Sequence, residues 1–327
     1  MKNLIVVGSN YIGLSAAYLL KDRFNVKVID VYSKDDIVKL GNKFFSCKKN
    51  VVNFFEKLNI PYNIDYLSRG VLIRGEVYDI FNYFKDMDIN SYKRIKVDYF
   101  KKTRCFNCRT EQVHINENIK SEVFDWGKRT TDKKFIFFDG RTFVEVLKKN
   151  LSDIEFIKSN VKSVGVKTLE LNDLKIDYDI IVFTIPIWDI KKFLWLNIPK
   201  CNSIKRNLIK VFSRKNLYLE YDYVLTPYTP NNAIFSTSLY EGDYIVEANG
   251  DINKRLPDIV GDLYFLFGDY WYIKDHDTLN GPFVYPYTNR NTKDTNKIKF
   301  IGKYSEFNSN VIFSDNLKKI VRLNDFS

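Results

Sequence analysis

Histidine, cysteine and long apolar runs are all scarce in this chain. Only two of its 327 residues are histidine, the isolated His114 and His276. No Ser-His-Asp or Cys-His arrangement is evident, and neither histidine is assigned a role. The four cysteines, Cys47, Cys105, Cys108 and Cys201, are too few and too scattered for a disulfide scaffold in a chain this long, so reduced thiols are expected. Cys105 and Cys108 form a C-x-x-C in "TRCFNCRT". Structural zinc needs four ligands, and only His114 and Cys47 remain to complete a set. A redox pair would need a local βαβ context that is missing, so the pair is read as incidental and no metal is expected. The longest apolar stretch breaks at Gly8, Ser9 and Asn10 and no cleavage-site pattern follows it. Neither a signal peptide nor a membrane span fits, and a cytoplasmic location is expected.

Positive charge and aromatic side chains are present in quantity. The 51 Lys and Arg outnumber 40 Asp and Glu, for a formal charge of +11. That excess points to an anionic partner such as a nucleotide, a nucleic acid or a membrane surface, with a solvated basic surface as the plain alternative. The length implies two domains, or one domain carrying a large insertion.

The chain opens with "LIVVGSNYIGLSAAYLL". Leu4 to Val7 is a continuous apolar run, as in a parallel strand covered on both faces. A tight turn follows, and from Tyr11 onward Ile12, Ala16, Leu19 and Leu20 recur at helical spacing. Gly13, Ser15, Ala16 and Ala17 are small enough to let the helix lie against the strand and aim its amides at a diphosphate. "NVKVID" reads as a second strand ending in Asp30, where a carboxylate binds a ribose hydroxyl in dinucleotide folds. Only the second glycine of the fingerprint is replaced, by Asn10. Asparagine tolerates unusual backbone angles, and its side chain is expected to point away from the phosphates.

Val51, Phe54, Phe55 and Leu58 then mark one face of a helix. From Pro61 to about Lys134 the pattern changes to short strand-like pieces, "GVLIRGEVYDI" and "RIKVDYF". A helix returns with "GRTFVEVLKKNL". Further on, the buried strand Ile180 to Thr184 ends at Thr184-Ile185-Pro186 and leads into a short helix carrying Trp188. The chain closes with "IKFIGKYSEFNSNVIFSDNLKKI", a strand, a glycine turn and a helix.

Taken together, these segments resemble the FAD-dependent amine oxidase, protoporphyrinogen oxidase and UDP-galactopyranose mutase group. The resemblance covers the first 60 residues, roughly 135 to 190, and the last 30. It implies an α/β fold in which a Rossmann-like FAD-binding domain is assembled from the discontinuous segments 1–60, 135–200 and 296–327. A mixed α+β substrate domain would take 61–134 and 201–295. It also implies FAD as cofactor. Gly8, Ser9, Asn10, Tyr11, Ile12 and Gly13 would hold the diphosphate, and Asp30 the adenosine ribose. Val161, with Asn160 and Lys162, would lie near the adenine. The "T-x-P" matches Thr184 and Pro186, while "FIGKY" places Gly302 and Lys303 near the diphosphate and the last helix beneath the flavin. "GPFVYPY" and "YIVEANGD" look like substrate-domain strands of the mutase branch. The sequence departs from the group at a lone Gly41, where a glycine pair is usual, and at Lys303, where arginine is usual.

Phe44, Phe45, Trp188, Tyr285 and Tyr304 are the candidates for lining the flavin face, since aromatic walls exclude water and sandwich planar or amine-bearing substrates. Core packing is the competing role for each. Lys93, Arg94, Lys101 and Lys102, with Lys96 and Arg104 nearby, interleave with Tyr92, Tyr99, Phe100 and Phe106. Cations alternating with stacking faces suit an anionic or nucleic-acid-linked substrate, and a solvated strand face is the alternative. The leading expectation is an FAD-dependent oxidoreductase of the amine oxidase type. A redox-neutral mutase-like flavoenzyme acting on a nucleotide sugar is the second. A nucleotide- or nucleic-acid-binding module on a flavin fold without catalysis is the third.

Overall fold

The computed structural model describes residues 1–31, 42–73, 75–79, 83, 87–88, 90–91, 94, 134–185, 187–194, 206–215, 221–226, 229–231, 233–279, 295–302 and 313–326. Its first sheet is fully parallel, in the order Ile298–Phe300, Ile180–Phe183, Asn3–Val7, Asn25–Asp30, Glu155–Lys158. Residues from the start, the middle and the end of the chain therefore share one sheet.

The opening strand is apolar from Leu4 to Val7 because both of its faces are covered there. Alternate residues point to opposite sides of a strand. Leu4 and Val6 pack under the helices Tyr11–Leu20, Lys49–Leu58, Gly140–Lys149 and Phe313–Arg322. Ile5 and Val7 face the antiparallel meander Val161–Val164, Thr168–Leu171 and Lys175–Asp177, together with the helix Ile187–Leu194. Val51, Phe54, Phe55 and Leu58 are buried on one helix face, as their spacing predicts. Gly140–Lys149 begins at Asp139, whose side chain accepts a hydrogen bond from the Thr142 amide.

A small antiparallel sheet joins Asn42–Ser46, Lys134–Asp139 and Asn63–Tyr66. The third sheet has seven strands, ordered Trp271–Leu279, Arg206–Ser213, Asp243–Asn249, Ile234–Tyr240, Tyr223–Leu225, Arg69–Ile73, Glu76–Asp79. "GVLIRGEVYDI" supplies its last hairpin, turning at Gly75 with φ +87°, and "YIVEANGD" supplies a central strand. One face is covered by the helix Ile252–Phe267, with Ile259, Leu263 and Leu266 set against Ile209, Val211 and Val246. "RIKVDYF" and "GPFVYPY" lie outside the described residues. Among the described residues no helix is long and apolar enough to cross a membrane.

Candidate functional site

The C-terminal ends of four adjacent parallel strands, Ile298–Phe300, Ile180–Phe183, Asn3–Val7 and Asn25–Asp30, lie along one edge of the first sheet, and there the chain makes its tight turns. Gly8 leaves the opening strand at φ +114°, and its amide donates to the Ile29 carbonyl at 2.9 Å. Gly302 leaves the closing strand at φ +111°. Only glycine adopts such angles without strain. Among the described residues a Cβ added to Gly302 would come into ordinary contact with Ile12, 3.8 Å from its Cγ1, so this glycine packs against the start of the opening helix. Gly13 is required for a different reason: a Cβ there would lie 1.9 Å from the Gly8 carbonyl oxygen. That contact sets how closely the helix lies against the strand.

Asp30 ends the second strand, as the sequence pattern requires. The Ser9 hydroxyl donates to its Oδ1 at 2.8 Å, and its Oδ2 has no partner among the described residues. The Ser159 amide donates to the Asp30 carbonyl at 3.2 Å, which carries the chain past the acid toward Val161 at the start of the meander. Asp30 and the start of the meander at Val161 are thus neighbours.

Asn10 caps the opening helix. Its backbone is extended (φ −72°, ψ 178°), so the side chain is accommodated without strain, and it turns back onto the start of the helix. Its Oδ1 accepts from the amides of Ile12 and Gly13, each at 3.0 Å, and its Nδ2 donates to the Thr184 carbonyl at 2.8 Å. The first amides of a helix lack partners within the helix, and asparagine is among the best residues for capping them. Thr184 is buried, and its single hydroxyl proton is placed between the carbonyls of Val7 at 3.1 Å and Gly8 at 3.3 Å, a bifurcated bond. It staples the turn to the neighbouring strand. The Asn10 to Thr184 link spans 174 residues and carries no sequence signal.

The remaining candidates separate. Tyr11 sets its ring edge-on to Phe143 at 5.3 Å, which turns the side chain into the core. Phe45 stacks on Phe313 at 4.1 Å and 11° and lies 4.7 Å from Phe138, so packing accounts for it. Phe44 points to the opposite face of the small sheet, 37% exposed beside Phe135 and Phe137. Trp188 falls within the expected helix Ile187–Leu194. Arg94 is exposed. Lys93, Lys101, Lys102, Cys105, Cys108, Tyr285, Lys303 and Tyr304 lie outside the described residues.

One polar contact between the sheets had no precursor in the sequence. The Tyr240 hydroxyl, on the seven-stranded sheet, donates to Asp139 Oδ2 at 2.8 Å, while Asp139 Oδ1 accepts from the amide and hydroxyl of Thr142. Burial pushes the Asp139 carboxyl up, but those hydrogen bonds and the charge of Arg141 outweigh it and leave the carboxyl below its ordinary value. Burial, and then the bond to Asp139, push the Tyr240 hydroxyl well above the usual tyrosine value. Lys210 sits over the Tyr240 ring at 5.1 Å and pairs with Glu241 at 3.0 Å and Asp243 at 3.5 Å.

No family model matches the sequence, and no curated protein does either. Solved structures do match. Reduced UDP-galactopyranose mutase superposes with a TM-score of 0.69 at 13% identity, over 100% of this chain and 94% of that one. An oxidoreductase from Methanosarcina mazei gives 0.63 at 13% identity, over 99% and 100%. Cyclohexylamine oxidase from Brevibacterium oxydans gives 0.61 at 10%, over 99% and 98%. This is the FAD-flavoprotein fold. In that fold the glycine turn, Asp30 and Gly302 sit along the ends of four neighbouring strands, the side at which open parallel sheets bind ligands. At 10–13% identity the likeness is one of architecture.

Proposed function

We propose that this chain is an FAD-dependent oxidoreductase of the amine oxidase type. The observation that carries the reading is Asp30, held at one oxygen by Ser9 and unpartnered at the other among the described residues, beside a glycine turn that opens a helix. An acid in that place suits a ribose hydroxyl pair. One further feature fits a dinucleotide: the strand ends at Gly8 and Gly302 adopt glycine-only angles and bring backbone close to the start of the opening helix. One feature opposes it, since the amides of Ile12 and Gly13 already serve Asn10.

In this reading the turn Gly8, Ser9, Asn10, Tyr11, Ile12 and Gly13 holds the diphosphate, Asp30 holds the adenosine ribose, Val161 flanks the adenine, and Gly302 and Lys303 close the far side. Bound flavin would supply two-electron redox chemistry. The chain's own part is to exclude water and orient the substrate, for which Phe44, Trp188, Tyr285 and Tyr304 are the candidates. An anionic substrate, small or nucleic-acid-linked, is supported by the +11 charge and by the cluster of Lys93, Arg94, Lys101 and Lys102.

The visible spectrum of the purified protein tests the cofactor. Flavin bands, or uptake of added FAD, are expected; a folded protein that takes up none would favour a binding module without catalysis. The likeness to a mutase structure supports the second reading, a redox-neutral enzyme on a nucleotide sugar. Net substrate oxidation with consumption of an electron acceptor is expected. Isomerisation that depends on prior reduction of the flavin would decide for the mutase.

A further inference from the structure

Glycine at the second position of a dinucleotide fingerprint lets the backbone come close to the pyrophosphate. Here the backbone at that position is ordinary extended chain, so the asparagine costs nothing in conformation. Its consequence lies in the side chain. Each amide carries one proton, and those of Ile12 and Gly13 are both directed at Asn10 Oδ1. A phosphate oxygen approaching them meets another acceptor, and two acceptors do not share one proton favourably.

The carboxamide is also fastened at its other end. Nδ2 donates to the Thr184 carbonyl, and Thr184 is itself bound by its hydroxyl to Val7 and Gly8. Asn10 therefore bridges two strand ends and the helix start, and clearing the amides means reorienting a side chain held by three hydrogen bonds. The amides of Ser9 and Asn10 have no partner among the described residues, so part of the turn stays open to an anion while the helix amides are closed.

We propose that Asn10 competes with the dinucleotide diphosphate: it caps the helix in the ligand-free protein and must release Ile12 and Gly13 when the cofactor binds. The inference rests on the flavin reading above. It makes Asn10 a positioning residue that strengthens the empty fold and sets a threshold on cofactor affinity. Restoring the fingerprint removes the competitor, because Asn10→Gly has no side-chain oxygen and water on the amides is readily displaced. Asn10→Asp retains an acceptor for both amides, loses the donor to Thr184, and sets a negative charge against the phosphates.

The test is fluorescence titration of flavin-stripped protein with FAD, alongside thermal melting of the same ligand-free samples followed by circular dichroism. Asn10→Ala should bind FAD about tenfold more tightly than wild type and melt lower when empty, the scale expected for replacing a cap asparagine with alanine, and Asn10→Gly should shift in the same direction. Asn10→Asp should bind at least about tenfold more weakly. Asn10→Ala keeps the extended backbone and loses the cap, and Asn10→Gly serves as the second variant if it does not fold. Folded Gly or Ala variants that bind FAD no more tightly than wild type would overturn the competition and leave the flavin reading standing. Folded wild type and variants that all fail to bind FAD would overturn both.

Discussion

Gly13 and Gly8 approach so closely that a single added carbon on Gly13 would lie 1.9 Å from the Gly8 carbonyl oxygen and 2.9 Å from the Thr184 hydroxyl. The obstacle is backbone and a buried side chain, so relief requires the helix to move away from the strand. Gly13→Ala should cost about 1–3 kcal/mol, the usual range for overpacking. Urea denaturation checks the loss. Gly13→Val should also abolish FAD binding, and a folded Val variant that retains stoichiometric FAD would remove the basis for the site.

Asp30→Ala tests the ribose assignment. The carboxylate is already partnered by Ser9, so its loss frees a hydroxyl without opening a core cavity. Affinity for FAD should fall by about 1.5–3 kcal/mol, the range for hydrogen bonds to a charged group, with little change in melting temperature. Ser9→Ala should act in the same direction and less strongly. Isothermal titration calorimetry separates the two, and unchanged affinity in Asp30→Ala would mean that another residue holds the ribose.

Phe143 tests the aromatic core beneath the site. It is fully buried, with the rings of Tyr11, Phe54, Phe55, Phe138 and Phe313 around it at centroid distances of 5.1–6.4 Å. Phe143→Ala should destabilise the fold by about 3–5 kcal/mol. Phe44→Ala, on the exposed face, should leave stability within about 0.5 kcal/mol. A large loss in Phe44→Ala would show that its face is covered.

Asp139 gives a pH dependence. Its folded carboxyl lies below its unfolded value of about 3.9, so its contribution is fully present above that pH and is lost as pH falls through the folded value. The stability difference between wild type and Asp139→Asn should therefore be largest near neutral pH and shrink below about pH 4. Tyr240→Phe removes a donor from the same carboxylate and should cost about 1.5–3 kcal/mol at pH 7. Denaturation series at several pH values check both, and a difference that grew on acidification would contradict the assigned partners.

Local patterning made much of this protein legible from its sequence. A short apolar run, a glycine, a helix of small residues and a strand ending in an acid can hardly pack except as a parallel βαβ unit, because each element's buried face is written in its own period. The opening βαβ turn, the place of Asp30 and the buried face Val51, Phe54, Phe55 and Leu58 follow from that alone, and the α/β class of the whole from the resemblance these segments carry. What only the tertiary structure decided are contacts between residues far apart in the chain. Ile298–Phe300 pairs with Ile180–Phe183, Tyr240 reaches Asp139, and Asn10 turns inward onto Ile12 and Gly13 because the Thr184 carbonyl lies within reach of its amide nitrogen. A side chain's direction depends on which polar groups the folded chain brings beside it, and for Asn10 that group arrives on a strand 174 residues away.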